Sequence, residues 1–393
     1  MSKTPKLRFK EFSEEWESFL LGDSIILYDN QRKPIKEQER SSGEYAYYGA
    51  TGIIDYIDNY IFEGEYLILG EDGANIITRN APLIYKTQGR FWVNNHAHIF
   101  KPISKFNMDF MKHNLELINY IPYNTGTAQP KLNTDSLKSI LFNSPSLQEQ
   151  EKIASLLSLI DDKINLQSEK VKYLKDYKKG LMQKIFSREL RFKDENGNDY
   201  PEWEEKKLGD IVINQGGTAL EKFVDENGSH NFISIGNYSI DGKYVNINQK
   251  ISLNDKTKDK LLYENELVMV LNDKTSTGDL IGSTILIDED NKYIYNQRSE
   301  RLICKDNVLP SFLWLNLNFD GFRKKVFAIS QGGTQIYVNF SNVKQLKIEL
   351  PCIDEQNKIS VFLTSVDKKI QKEQEKLDSL NEYKKGLLQQ MFV

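Results

Sequence analysis

The chain has 393 residues, 39% of them hydrophobic, which is enough for two core-forming domains. Its 52 Lys and Arg nearly balance 56 Asp and Glu, and the net charge of −4 excludes a globally basic nucleic-acid binder, so any DNA-binding face has to be a local patch. Cys304 and Cys352 are the only cysteines, which excludes a disulfide framework and a Cys-based zinc site; with a polar, basic start and no apolar run of about 18 residues, they predict a cytoplasmic protein.

Residues 1–147 are expected to form a mixed α/β domain. Leu7-Arg8-Phe9-Lys10, Trp16 and Leu21-Gly22-Asp23 open it. Tyr66–Leu69 is short, apolar and preceded by Glu65, which predicts a strand; the loop Gly70–Asn75 follows. Phe106–Asn119 has helical spacing, and Thr125-Gly126-Thr127 lies just ahead of a long periodic segment at 148–187. Lys193–Asn198 predicts a polar turn at the junction with the second half. In 188–353, Leu267–Val270 and Thr284–Ile287 predict strands and Ser311–Phe322 a helix, with the loop Asn272–Gly278 after the first strand. Gly332-Gly333-Thr334 then precedes a second periodic segment at 354–393.

The two halves repeat. Tyr177-Lys178-Lys179-Gly180-Leu181 recurs as Tyr383-Lys384-Lys385-Gly386-Leu387, an offset of 206 (383 − 177). The same offset pairs Pro145 with Pro351, Glu149-Gln150 with Glu355-Gln356, Ile153 with Ile359, Asp161 with Asp367 and Ile164 with Ile370. The openings match as well: Leu190-Arg191-Phe192-Lys193, Trp203 and Leu208-Gly209-Asp210 echo the first half. The chain is therefore a tandem duplication, with variable regions that are no longer obviously alike ahead of near-identical helices.

Each helix carries an a/d seam. In the first copy it runs Leu157, Ile160, Ile164, Gln167, Val171, Leu174, Lys178, Leu181, Ile185; in the second, Leu363, Val366, Ile370, Glu373, Leu377, Leu380, Lys384, Leu387, Met391. Helices of roughly 40 residues would span about 60 Å. Such a seam needs a partner, and the other copy, packed antiparallel, is the simplest one; a homodimeric coil is the alternative. The polar breaks are candidates for setting register or for opening the seam to solvent or a partner. The fold class is thus α/β (α+β), two globular domains separated by two long antiparallel coiled-coil helices with pseudo-two-fold symmetry.

The loops carry side chains suited to base edges. Asn and Gln can bridge adenine, and Arg or Lys guanine. The first region offers Asn75, Arg79, Asn94 and Asn95, and the second Asn272, Lys274, Gln297, Arg298 and Gln331. Turn chemistry is the competing explanation for each. The matched Gly-Thr stretches, with Thr127 and Thr334, are candidates for a phosphate contact or a structural turn. Catalytic signatures are missing: the chain has no phosphate-cradling G-x-x-x-x-G-K-[ST], no Asn-Pro dipeptide, and no G-x-G-x-x-G after a strand. His96 and His98 would share a strand face, but two His make no metal site. Asp161-Asp162-Lys163 and Asp367-Lys368-Lys369 imitate a nuclease D-x-K, yet flank seam positions and are expected on a solvated coil face.

Two divergent domains, each followed by a near-identical long helix, resemble the specificity (S) subunit of type I restriction–modification enzymes. Pro145–Gly180 and Pro351–Gly386 carry the resemblance, supported by Tyr47–Ile53 and Gly126–Asn133, stretches similar to those of the family's target-recognition domains; these add Tyr48 and Thr51 to the candidate DNA contacts. The resemblance implies a non-catalytic subunit whose target-recognition domains (1–147 and 188–353) each read half of a split DNA site. The helices (148–187 and 354–393) would fix the gap and dock two methyltransferase (M) subunits. Restriction (R) subunits would join them. S-adenosylmethionine, ATP and Mg²⁺ would belong to those partners, and no cofactor or metal to this chain. A coiled-coil scaffold with protein-binding domains is the alternative.

Overall fold

The structure, a computed structural model, describes residues 4–393. The chain forms two compact units, Met1–Glu169 with Gln374–Val393, and Lys170–Glu373. Each unit therefore holds one globular domain and a length of both long helices, Leu147–Phe186 and Ile353–Met391. Among the described residues no helix is long and apolar enough to cross a membrane.

The first unit contains two four-stranded sheets. One is antiparallel, in the order Ile25–Leu27, Ala97–Pro102, Tyr66–Gly70, Ile84–Thr87. The other runs Gly52–Ile57, Ser42–Gly49, Arg90–Val93, Phe62–Glu63, with its middle pair parallel. The second unit repeats this plan despite its unlike sequence. Its antiparallel sheet has the order Val212–Gly216, Ser299–Cys304, Leu267–Val270, Thr284–Leu286. A second sheet, three-stranded here, again pairs two strands in parallel, His230–Ile233 and Tyr293–Tyr295. The strand Tyr66–Gly70 is buried along almost its whole length and Leu267–Val270 along all of it, which is why both read as apolar runs without alternation.

A helix packs on each antiparallel sheet. In the first unit it is Met108–Leu117, whose N-cap Asn107 accepts a hydrogen bond from the Phe110 N–H. In the second it is Pro310–Leu317, with proline at its first turn. The expected single helix Ser311–Phe322 is broken: a new helix, Asp320–Ala328, starts after Asn318. The Asn318 amide donates to the Thr284 and Trp314 carbonyls and accepts from the Thr284 N–H, so the side chain is spent on the sheet edge where the first helix stops. The Lys193–Asn198 turn is present, closed by a bridge between Lys193 and Asp199.

The repeated Pro…Glu-Gln phrase forms a clamp in each copy. Gln150 accepts from the Asn107 N–H and donates to the Lys105 and Pro145 carbonyls. Gln356 accepts from the Leu309 N–H and donates to the Asn307 and Pro351 carbonyls. Arg8 forks onto Glu149, and Arg191 onto Glu355, which ties the Leu-Arg-Phe-Lys phrase to the start of its own long helix.

The two helices run antiparallel within each unit. In the first, Ile153, Leu157 and Ile160 pack with Leu387 and Met391 against Trp16 and Phe110. In the second, Leu181 and Ile185 pack with Ile359 and Leu363 against Trp203 and Phe312. Every seam position is buried or half-buried, among them Ile164, Val171, Leu174, Val366, Ile370, Leu377 and Leu380. Fully burying one such side chain contributes about 1.5–3 kcal/mol.

The solvent-facing placement expected of Asp161 and Asp367 is overturned. Lys178 Nζ lies 2.7 Å from Asp367 Oδ2, with both side chains about 15% exposed or less. Asp161 pairs with Lys384 in the same way. The two pairs are related by the 206-residue offset, so each polar break contributed by a lysine meets the aspartate of the facing helix. Glu373, the other charged break, pairs with Lys170 at 3.0 Å.

Candidate nucleic-acid interface

Three loops meet in each unit, and they hold most of the side chains suited to base contact. In the first unit the Glu71 N–H donates to the His96 carbonyl at 2.9 Å, and the Leu132 N–H donates to the Glu71 carbonyl at 2.7 Å. In the second, the Leu271 N–H donates to the Arg298 carbonyl at 2.8 Å, and the Val338 N–H to the Leu271 carbonyl at 2.9 Å. The backbone junction is the same, so positions correspond: His96 with Arg298, Asp72 with Asn272, Ala74 with Lys274, Lys131 with Tyr337.

The third loop explains the glycine of the matched Gly-Thr stretches, while Thr127 falls opposite Gly333 and Thr334 opposite Ala128. The Thr125 N–H donates to the Lys131 carbonyl, and the Gln331 N–H to the Tyr337 carbonyl, closing equivalent loops. A Cβ on Gly126 would lie 1.8 Å from the Gln129 carbonyl oxygen, and one on Gly332, where φ is +108°, 2.1 Å from that of Gln335. Glycine at both places is required by the close approach. The loops present Thr127 and Thr334 on their exposed rims.

Several candidates are occupied by the fold itself. Asn75 accepts from the Ala81 N–H and donates to the Ala81 and Pro82 carbonyls. Arg79, in a left-handed backbone conformation, donates to the carboxylate and carbonyl of Glu116 and stacks over Tyr120. Asn94 is buried and accepts from the His96 N–H. Tyr48 packs edge-on against Phe91, and burial raises its hydroxyl pKa. Thr51 and Asn95 are exposed, with no side-chain partner among the described residues.

In the second unit the candidates converge. Asn272, Lys274, Gln297 and Arg298 line one open cleft of about 430 Å³ floored by Phe232 and Val270. Asn272 pairs through its backbone with Tyr337. Gln297 and Asn296 both donate to Glu221 Oε1, and the Asn296 bond, the largest influence, lowers the Glu221 carboxyl pKa. Gln331 is exposed and accepts from the Tyr337 hydroxyl. Lys274 and Arg298 are exposed, and neither charge has a partner among the described residues.

His96 and His98 do not share a face. His96 is exposed and its Nδ1 lies 2.7 Å from Asp72 Oδ2. His98 is fully buried beneath the junction, between the Asp29 carboxylate and the Leu132 carbonyl. Gln249 and Glu221, neither singled out by the sequence, also border the second cluster, and Lys131, within the Gly126–Asn133 stretch, borders the first. The only signal for Gln249 and Glu221 is spatial.

Comparison with known proteins gives a consistent result. A family model described as the type I restriction modification DNA specificity domain matches residues 13–176 and again 200–382. A Haemophilus influenzae chain provisionally named a type I restriction enzyme specificity subunit is 28% identical over 89% of this chain and 86% of its own length. The MjaVIII specificity subunit of Methanocaldococcus jannaschii is 25% identical over 95% of this chain and 91% of its own. Among solved structures, the type I restriction–modification S subunit of M. genitalium superposes with a TM-score of 0.63 at 14% identity, covering 99% of both chains. That likeness is one of fold.

Proposed function

The chain belongs to the type I restriction modification DNA specificity domain family, and on that premise we propose that it is the DNA sequence-specificity subunit of a type I restriction–modification complex. The observation that carries the reading is the duplicated loop junction: one backbone arrangement, built twice, displaying unlike side chains. Such an arrangement suits a protein whose two domains each read a different half of a bipartite DNA site. The long helices then fix the unspecified gap and dock two methyltransferase subunits through the phrase repeated at Tyr177–Leu181 and Tyr383–Leu387. Exposed Tyr177 and Tyr383 support that docking role, since a repeated large apolar side chain left outside the seam offers the same surface twice.

In this reading the chain recognises and its partners react. Methyltransferase subunits supply S-adenosylmethionine chemistry, and restriction subunits supply ATP- and Mg²⁺-dependent cleavage. The test is to express the chain with its methyltransferase partner in a host without adenine methylation and to map the modified bases. A split motif with a constant gap is expected. Binding to that motif should weaken steeply with added salt, because phosphate neutralisation releases counterions. Methylation on a continuous site, or on no fixed motif, would count against the proposal.

A further inference from the structure

The two junctions differ in charge at corresponding positions. In the first unit, His96 is held by Asp72, and the position corresponding to Lys274 is Ala74. In the second, Arg298, Asn272 and Lys274 take those three places, and neither cation is paired among the described residues. Arg298 also sits at φ +61°, a left-handed conformation that a bulky residue seldom adopts. Its carbonyl is fixed by the Leu271 N–H, so the strained backbone is locked and the side chain is carried at the cleft.

The geometry points to Arg298 as the residue that selects a guanine in the half-site read by the second domain, with no equivalent reader at the corresponding place in the first. This rests on the proposed function. A guanidinium fork matches the O6 and N7 acceptors of guanine in the major groove. Glu221 shares the cleft and is held ionised by the amides of Asn296 and Gln297. Lys274 shares the cleft as a second cation unpaired among the described residues, so charge draws the DNA in without selecting a base, and the planar guanidinium fork of Arg298 supplies the selection. The Gln297 amide, anchored through its Nε2, is fixed beside Arg298 and adds a second polar group of defined direction.

The test uses the full chain in complex with its methyltransferase partner, carrying Arg298→Gln or Arg298→Asn. Asparagine tolerates the left-handed backbone, so a loss common to both variants belongs to the side chain. Methylated motifs are mapped, and binding is measured in competition against duplexes changed one base pair at a time. The expected result is that one G·C pair in one half-site becomes dispensable in both variants. Discrimination at that pair should fall by about tenfold or more, with the other half-site and the gap unchanged. Equal weakening on every duplex, with a shallower salt dependence, would identify a phosphate contact and overturn the inference. So would variants that keep every position of both half-sites. A wild-type complex that shows no split motif would instead refute the proposed function itself, whatever the variants do.

Discussion

At the scale of single residues, the repeated identities mark places where one side chain satisfies several backbone groups. Gln150 and Gln356 each make three such bonds at the junction of domain and helix, and no other side chain has the same reach and mixed donor–acceptor character. The identity was visible in the sequence, as was the nearby proline, but the other two partners of each glutamine lie more than forty residues away and were not. His113 makes a sharper prediction. It is buried in the helix Met108–Leu117, 3.8 Å from Asp161, and burial lowers its pKa from 6.5 to about 4. The unfolded chain binds the proton more readily, so the contribution is fully present above about pH 6.5 and is lost as pH falls toward 4. The loss should be on the order of 3 kcal/mol over that window. Denaturant titrations between pH 7 and 5 should show a smaller decline for His113→Gln than for the natural chain. Identical slopes would mean that the imidazole does not control it.

At the scale of elements, the long helices were legible because their apolar period repeats over many turns, while the charges beside the seam were misplaced. Asp161 and Asp367 flank the seam, and from one helix alone that position reads as solvated. The facing lysine decides otherwise, and only the antiparallel register, shared by Lys178–Asp367 and Asp161–Lys384, brings it within reach. Lys178→Asp would set two carboxylates together and should destabilise the coil by on the order of 2 kcal/mol. Adding Asp367→Lys should recover most of that loss, as a double-mutant cycle on chemical unfolding would show. A double variant no better than the sum of its parts would mean that the pair does not set register. The broken helix at Asn318 has a related cause: helical spacing continues through it, but a side-chain bond to the sheet takes precedence.

At the scale of the whole molecule, the duplication of the helices was plain in the sequence and that of the domains was not. Strand order and the loop junction are held by backbone hydrogen bonds, which constrain side chains weakly, so the two domains keep one topology while their sequences separate. The same freedom lets the exposed loops diverge in the side chains they display. If the helices set the gap, a heptad inserted after Leu174 and another after Leu380 would keep the seam and lengthen each helix by about 10 Å. The gap in the methylated motif should then grow by up to about three base pairs, given the rise of roughly 3.4 Å per base pair. An active variant that keeps the original spacing would leave the helices a docking role only. The most direct test of two independent readers is exchange of residues 1–147 for the corresponding domain of another specificity subunit, followed by mapping of methylated sites. One half of the motif should change, while the other half and the gap stay as they were; a change in both halves would contradict it.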